Sequence, residues 1–227
     1  MTPANTTSTI ELETRRLPAK VAACRFDALE SQGVFKVVLD AITRPGSIER
    51  LSEPISRRLP SVLAPLLVLA DVETRIHVLD TSAFVWQEAV SSATGARASS
   101  IAEADLIAVP LEAGEQIASI FALASPGTAF SPESAARVAI GVHDIRESGV
   151  GPQSGVELVL RGPGVDGKRA VCIDGLGEQD VDAWRRTNSR FPAGIDVWFT
   201  TDDGRVLGVP RSTHVDIVAT WPTQERN

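Results

Sequence analysis

Lysine is scarce in this sequence. Only Lys20, Lys36 and Lys168 are present among the 22 basic residues, and the other 19 are arginines. Lysine is the residue that forms Schiff bases, so covalent chemistry that depends on it is confined to three positions. Arginine keeps its charge and binds phosphate-like groups through paired N–H donors. The basic residues therefore favour anion binding over lysine chemistry.

Cysteine and histidine are also rare. Cys24 and Cys172 are too far apart in the chain to form a C-x-x-C pair, so we predict two buried thiols in a reducing compartment. His77, His143 and His214 are scattered, and no H-E-x-x-H pattern is present. The sequence therefore predicts neither a metal site nor a redox pair. It also lacks the G-x-S-x-G pattern that marks many hydrolases.

An excess of positive charge is missing as well. The formal net charge is −7, so the chain has no overall field to attract nucleic acid or an anionic membrane, although a local basic pocket for a small anion remains open. The longest apolar stretch, Val62–Val72, contains Pro65 and is too short to cross a bilayer. No cationic segment followed by an apolar run begins the chain, so we predict no signal peptide. We expect a soluble cytoplasmic protein.

What the sequence does contain is a succession of short helical and extended patterns. An apolar helical face is followed by Arg44-Pro45-Gly46, which should end that helix. Residues 195–209 predict a β-hairpin with an Asp202-Asp203-Gly204 turn. The remaining predicted helices are 61–72, 82–93, 115–123 and 181–188, and the remaining predicted strands are 75–79, 105–109, 136–144, 155–161 and 169–173.

This order of elements predicts a single α/β domain, residues 21–220, built as a mixed sheet covered by helices. At 227 residues with 43% hydrophobic residues, the chain is long enough to bury a sizeable core. Residues 1–20 predict a flexible N-terminal arm, and residues 221–227 a C-terminal tail.

Residues 162–169 match the consensus of two nucleotide-binding motifs. Gly162-Pro163-Gly164 and Lys168 fit both G-x-x-x-x-G-K and G-x-G-x-x-G. Either motif needs a helix to begin there, because phosphates bind at a helix N-terminus. The residues that follow predict a strand, and Arg169 stands where a P-loop needs Ser or Thr to hold Mg²⁺. We therefore predict a turn that joins two strands.

Two later segments carry candidate functional residues. Asp196 lies just inside a predicted strand, and Arg211 and Thr213 follow the end of the hairpin. An arginine beside hydroxyl groups can bind an anion through a bidentate fork and neutral donors. The alternative is that Asp196 and Arg211 pair with each other. The residues alone leave both possibilities open.

Five short motifs occur in one order along the chain, from about Phe35 to Val215: Arg44-Pro45-Gly46, Leu67-Val68-Leu69-Ala70-Asp71, Leu160-Arg161-Gly162-Pro163-Gly164, Phe191-Pro192-Ala193-Gly194-Ile195-Asp196 and Val209-Pro210-Arg211-Ser212-Thr213. Each is weak alone, but together they resemble the PhnH family, subunits of the bacterial carbon–phosphorus lyase system for phosphonate use. The resemblance implies a truncated large domain like that of pyridoxal-phosphate-dependent transferases, without the cofactor. None of the three lysines is a convincing cofactor lysine, which agrees with that implication.

The resemblance also implies partners and a role. PhnH-like proteins form homodimers and join PhnG, PhnI and PhnJ in a core complex. That complex exchanges the adenine of ATP for an alkylphosphonate, giving ribose 1-methylphosphonate 5-triphosphate when the phosphonate is methylphosphonate, and PhnH is an accessory subunit in it. The chain is therefore expected to be inactive alone, and no catalytic residue is assigned.

Three hypotheses follow for this chain. It is an accessory subunit of the carbon–phosphorus lyase complex, a stand-alone enzyme or binding protein for a phosphorylated metabolite that uses Arg211 and Asp196, or a purely structural assembly module. Charged and polar motif residues are candidates for a ligand site or a subunit interface, whereas the prolines and glycines are expected to form turns. The site candidates are Arg44, Asp71, Asp196, Arg211 and Thr213, and the turn residues are Pro45, Gly46, Gly162, Pro163, Gly164 and Gly194.

Overall fold

The structure of the chain is a computed structural model that describes residues 17–79, 85–151 and 154–222. Its helices are α1 (Ala28–Thr43), α2 (Glu53–Arg58), α3 (Ala64–Leu69), α4 (Val85–Thr94), α5 (Ile117–Leu123) and α6 (Glu178–Thr187), and residues 17–24 are also helical. Its strands are β1 (Ile48–Arg50), β2 (Arg75–Val78), β3 (Arg97–Ala98), β4 (Leu106–Val109), β5 (Arg137–Gly141), β6 (Asp144–Glu147), β7 (Gly155–Arg161), β8 (Arg169–Asp174), β9 (Asp196–Thr200), β10 (Arg205–Val209) and β11 (His214–Trp221).

A seven-stranded mixed sheet forms the centre of the fold, in the order β1-β10-β9-β5-β4-β2-β3. The pairs from β9 to β3 are parallel, and β10 and β1 are added antiparallel at one edge. The predicted α/β class with a mixed sheet and helices is therefore confirmed. Parallel strands need both faces covered, which explains why strand β4 is buried at every position.

A second sheet was not predicted. It is antiparallel, in the order β11-β7-β8-β6, and it packs with α5 and α6 against one face of the large sheet. The opposite face carries α1, α3 and α4. Within β4, Ile107 and Val109 join the core on the side of the second sheet, and Leu106 and Ala108 join the core on the other side. Successive side chains of β4 point to opposite faces of the large sheet, so this one strand contributes to the cores on both faces.

Helix α1 begins and ends at sequence signals. The Asp27 side chain accepts hydrogen bonds from the backbone N–H groups of Leu29 and Glu30, and Glu30 bonds back to the Asp27 N–H. This reciprocal cap satisfies donors that a helix start leaves free. At the other end the chain turns through Gly46, whose φ is +91°, as the Pro-Gly pair predicts.

Most predicted elements are confirmed, with two kinds of error. The hairpin β9–β10 forms through residues 201–204, and residues 162–168 join β7 to β8 as a turn. The predicted helix 61–72 is shorter: a 3₁₀ turn at Ser61–Leu63 leads into α3, and Val72 lies beyond it with 66% of its surface exposed. Helix α2 and strands β1, β3, β6 and β11 were not predicted, because short or irregular elements have weak periodicity.

The predicted ends of the domain fall partly outside the described residues. Residues 1–16 and 223–227 are not described, so most of the predicted arm and tail lie there. The helical segment 17–24 crosses the boundary predicted at residue 20, and β11 reaches Trp221. The predicted start of the helix at 82 also lies outside the described residues. Within those residues, no helix has the length and apolar character needed to cross a bilayer.

Candidate functional site

Asp196 and Arg211 form a tight ion pair. Arg211 Nε and Nη2 donate to the two carboxylate oxygens of Asp196 at 3.1 and 2.7 Å, and the Arg211 backbone N–H donates to Asp196 at 2.9 Å. The remaining Nη1 donates to the Pro132 carbonyl at 2.6 Å. Both side chains are largely buried. Arg211 is therefore occupied by contacts within the chain, as the alternative in the sequence analysis proposed.

The loop that precedes Asp196 is fixed by the Asn188 side chain, whose amide forms two hydrogen bonds with the backbone of Ile195. Asn188, at the end of α6, accepts from the Ile195 N–H at 2.8 Å and donates to the Ile195 carbonyl at 3.1 Å. Gly194 has a φ of +148°, and a Cβ there would lie 2.9 Å from the Asn188 oxygen and 3.1 Å from the Arg211 Cβ. Glycine at this position lets the loop approach both side chains.

Most of the sequence motifs meet in space. A Cβ on Gly162 would lie 2.9 Å from the Ser212 carbonyl oxygen, so the turn between β7 and β8 packs directly against the segment after β10. A Cβ on Gly164 would lie 2.4 Å from the Thr43 carbonyl and 2.9 Å from Pro45. The glycine turn thus touches both the end of α1 and the segment that contains Arg211. The predicted turn role of these glycines agrees with this packing.

Arg44 and Asp71 have local roles in the structure. Arg44 ends α1 and forms ion pairs with Asp40 at 3.0 Å and Glu49 at 3.4 Å, with about half of its side chain exposed. Asp71 accepts from the Thr74 hydroxyl and from backbone N–H groups of the following turn. The hydrogen bond from Thr74 is the main cause that lowers the pKa of Asp71. Asp71 contacts none of the other candidate residues through a hydrogen bond or ion pair.

A cavity of about 320 Å³ opens beside the Asp196–Arg211 pair, between α6 and the start of β11. Thr213, a residue predicted from the sequence, lines it and is buried, with 7% of its surface exposed. Trp184 of α6 lines the same cavity and is 1% exposed. Neither the Thr213 hydroxyl nor the Trp184 indole N–H has a hydrogen-bond partner among the described residues.

A larger groove of about 910 Å³ lies on the other side of the loop after α6. Small side chains form most of it, and Arg186 and Arg190 lie along it. Ser189 lines both the groove and the cavity. The end of α6 therefore carries positive charge into two adjoining recesses of an otherwise acidic chain.

Trp184 was missed by the sequence analysis. Its helix was predicted, but a tryptophan in a helix is more often a core residue, and no sequence signal separates the two cases. The three lysines are placed where a cofactor lysine is not expected. Lys20 lies over the Trp86 ring at 4.1 Å, Lys36 pairs with Asp40 on the surface, and Lys168 is exposed in the turn before β8. These positions do not fit a buried Schiff base.

No group of three His, Cys, Asp or Glu side chains within the described ranges is arranged to hold a metal ion. His77 contacts the Ser99 carbonyl through Nδ1 at 2.8 Å, which is a structural contact. His214 lies at the cavity beside Thr213. The arrangement around α6 therefore offers hydrogen-bond donors and positive charge rather than metal ligands.

Comparison with known proteins gives two findings. The profile of a family described as bacterial phosphonate metabolism protein (PhnH) matches residues 24–216. A curated relative from Rhizobium meliloti (strain 1021), named alpha-D-ribose 1-methylphosphonate 5-triphosphate synthase subunit PhnH, is 28% identical over 196 residues. That alignment covers 82% of this chain and 90% of the relative.

Proposed function

The chain belongs to the PhnH family of bacterial phosphonate metabolism proteins, and on that premise we propose that it is an accessory subunit of a ribose 1-methylphosphonate 5-triphosphate synthase. The observation that carries the proposal is the family match, which spans every motif quoted above. In this role the chain supports the transfer of an alkylphosphonate to the ribose of ATP, with loss of adenine. It does so in the cytoplasm with PhnG-, PhnI- and PhnJ-like subunits.

The state of Arg211 supports an accessory role over a stand-alone enzyme. An enzyme that bound an anionic substrate through Arg211 would need a guanidinium whose charge is not already balanced. Here Nε and Nη2 donate to the two carboxylate oxygens of Asp196, and Nη1 donates to the Pro132 carbonyl. The pair therefore serves to fix the segment before β11 against the start of β9.

Two further parts of the proposal concern assembly and cofactor. We propose a homodimer. The apolar side chains of Phe35 and Leu39 on α1 are a little under half exposed, and contact with a second copy of the chain would cover them. We also propose a fold related to a truncated pyridoxal-phosphate transferase domain that works without the cofactor, because none of the three lysines is buried in a pocket. Analytical sedimentation tests the homodimer. Incubation with pyridoxal phosphate, followed by borohydride reduction and mass measurement, tests whether any lysine binds the cofactor.

Reconstitution tests the main proposal. The chain and the PhnG-, PhnI- and PhnJ-like subunits of the same organism are purified and supplied with ATP and methylphosphonate, and adenine release is measured. We expect turnover with the complete set and none with this chain alone. Robust turnover by the lone chain supports the enzyme hypothesis instead. Undiminished turnover without this chain contradicts the accessory role.

A further inference from the structure

Two residues that line one cavity each carry a buried hydrogen-bond donor without a partner among the described residues. Buried polar groups in proteins are nearly always hydrogen-bonded, because an unmade bond leaves the desolvation of the group uncompensated. Trp184 Nε1 and Thr213 Oγ1 are both exceptions among the described residues, and both residues line the 320 Å³ cavity. A ligand bound in this cavity would supply the missing acceptors to both groups.

The two donors are held in place by packing. The Trp184 ring is stacked on Phe121 at 5.9 Å between ring centroids and meets Phe199 edge-on at 5.6 Å. The Thr213 backbone N–H donates to the Pro210 carbonyl at 2.9 Å, and its Cα packs against Gly162. Both donor atoms are almost completely covered, so a ligand oxygen reaches them only after a small movement of the cavity lining.

The charge of the cavity selects the class of ligand. Arg185, Arg211 and His214 line it, and its described lining contains no Asp or Glu. Since Asp196 balances the charge of Arg211, Arg185 is the cation available to a ligand. Arg185 lies 4.0 Å from the nearest carboxylate oxygens, those of Asp182 and Asp216, so its charge is only loosely balanced. An indole N–H can only donate, so its partner must be an acceptor. Donors beside a cation fit an oxyanion.

We propose that this cavity binds a tetrahedral phosphorus oxyanion, either an alkylphosphonate or the phosphate group of an ester. Its oxygens accept from Trp184 Nε1 and Thr213 Oγ1, and Arg185 balances its charge from the rim. The assignment of an oxyanion rests on the geometry alone. The choice of phosphorus over a carboxylate rests on the proposed function.

Indole NMR signals report on this site directly. The full chain is labelled with ¹⁵N and titrated with methylphosphonate, inorganic phosphate, ATP and acetate, and the Trp184 indole signal is assigned from its loss in Trp184→Phe. We expect that signal to shift saturably with the phosphorus compounds. The indole of Trp198 donates to the Val38 carbonyl at 3.0 Å and should stay unshifted as the internal control. Tighter binding of methylphosphonate or of ATP tells which of the two sources the cavity prefers.

Matched variants test the named contacts. Thr213→Val keeps the shape and removes the hydroxyl, so it should weaken binding about tenfold. Arg185→Gln should weaken binding and flatten its dependence on salt. The controls Thr220→Val, on the exposed side of β11, and Arg57→Gln, on exposed α2, should bind as the natural chain does.

Several results would overturn the site. These are a Trp184 signal that no oxyanion moves, or affinity unchanged in Thr213→Val. Acetate bound as tightly as methylphosphonate would overturn the choice of a phosphorus oxyanion. The reconstitution assay separates this test from the proposed function. If the chain binds the anion saturably but turnover is undiminished without it, the oxyanion site stands and the accessory role is overturned. If turnover needs the chain but the Trp184 signal does not shift, the accessory role stands and the oxyanion site is overturned.

Discussion

Arg211 holds the carboxylate of Asp196 through two side-chain nitrogens and its own backbone N–H, and thereby joins the end of β10 to the start of β9. Because both side chains are mostly buried, neither charge can be solvated if its partner is removed. The pair is thus a structural clamp beside the cavity that Thr213 lines.

Removal of either partner should destabilise the chain. We expect Arg211→Ala or Asp196→Ala to lower the free energy of unfolding by about 2–4 kcal/mol, because each leaves a partly buried charge unpaired. The double variant should lose less than the sum of the two. Urea unfolding measures these values. Arg57→Ala, which breaks an exposed pair with Glu53, is the control and should cost under about 0.5 kcal/mol. Equal losses in Arg57→Ala and Arg211→Ala would contradict the clamp.

Alanine substitutions at two glycines of one turn distinguish the cost of backbone strain from the cost of a packing collision. Gly164 and Gly167 both have positive φ, at +80° and +66°, but only a Cβ on Gly164 would collide, at 2.4 Å from the Thr43 carbonyl oxygen. Gly167→Ala should therefore cost about 1 kcal/mol for its backbone conformation alone. Gly164→Ala should cost about 2–4 kcal/mol. Thermal unfolding of the two variants tests this, and equal costs would show that the turn does not pack on α1.

The hydroxyl of Thr213 should contribute nothing to stability. It has no partner among the described residues, so Thr213→Val should leave the free energy of unfolding unchanged or raise it slightly. Thr187→Val is the comparison, because the Thr187 hydroxyl donates to the Phe121 carbonyl at 2.8 Å and its loss should cost about 1 kcal/mol. Chemical unfolding of both variants without added anions measures the difference. A clear loss in Thr213→Val would mean that the hydroxyl is bonded within the chain.

Asp203 should contribute to acid sensitivity. Burial opposes its ionisation, but hydrogen bonds from Thr201 and Arg205 and the charges of Arg205 and Arg50 outweigh burial and hold the pKa of Asp203 at about 2. A carboxyl whose pKa is lower in the folded chain stabilises it above the unfolded pKa, which is about 3.9. That contribution is lost as the pH falls from about 5 toward 2.

Unfolding of the natural chain and of Asp203→Asn across this range tests the pH dependence. The stability difference should be present at neutral pH and largely lost by pH 2. Its size should stay below about 1 kcal/mol, because about half of the Asp203 side chain is exposed. A difference that is the same at pH 7 and pH 2 would contradict this assignment.

Both thiols should be unreactive in the folded chain. Cys24 and Cys172 are free and buried, and burial raises the pKa of Cys24 to about 11 against the opposing charges of Arg58 and Lys20. Since the thiolate is the reactive form, a disulfide reagent at pH 8 should label neither thiol until denaturant is added. Rapid labelling of either thiol under native conditions would contradict the buried positions.

Local patterns predicted much of the fold. The end of helix α1 at Arg44-Pro45-Gly46, the Asp-Gly hairpin and the turn at residues 162–168 each follow from signals within a few residues. The predicted helix 61–72 is longer than the observed α3, because the apolar composition of this segment does not show where the chain leaves the core. Strand β11 was missed because its burial alternates only in part and its pairing with β7 is interrupted by a bulge.

The sequence by itself determined the α/β class, the turns and the family, because these depend on periodicity, on glycine and proline chemistry and on motif order. It could not decide between pairing and anion binding for Arg211, or find Trp184, because both depend on what lies across space. The tertiary structure decided them by bringing Asp196 and Pro132 to the guanidinium of Arg211. It also placed α6 beside β11, so that two donors far apart in the chain line one cavity.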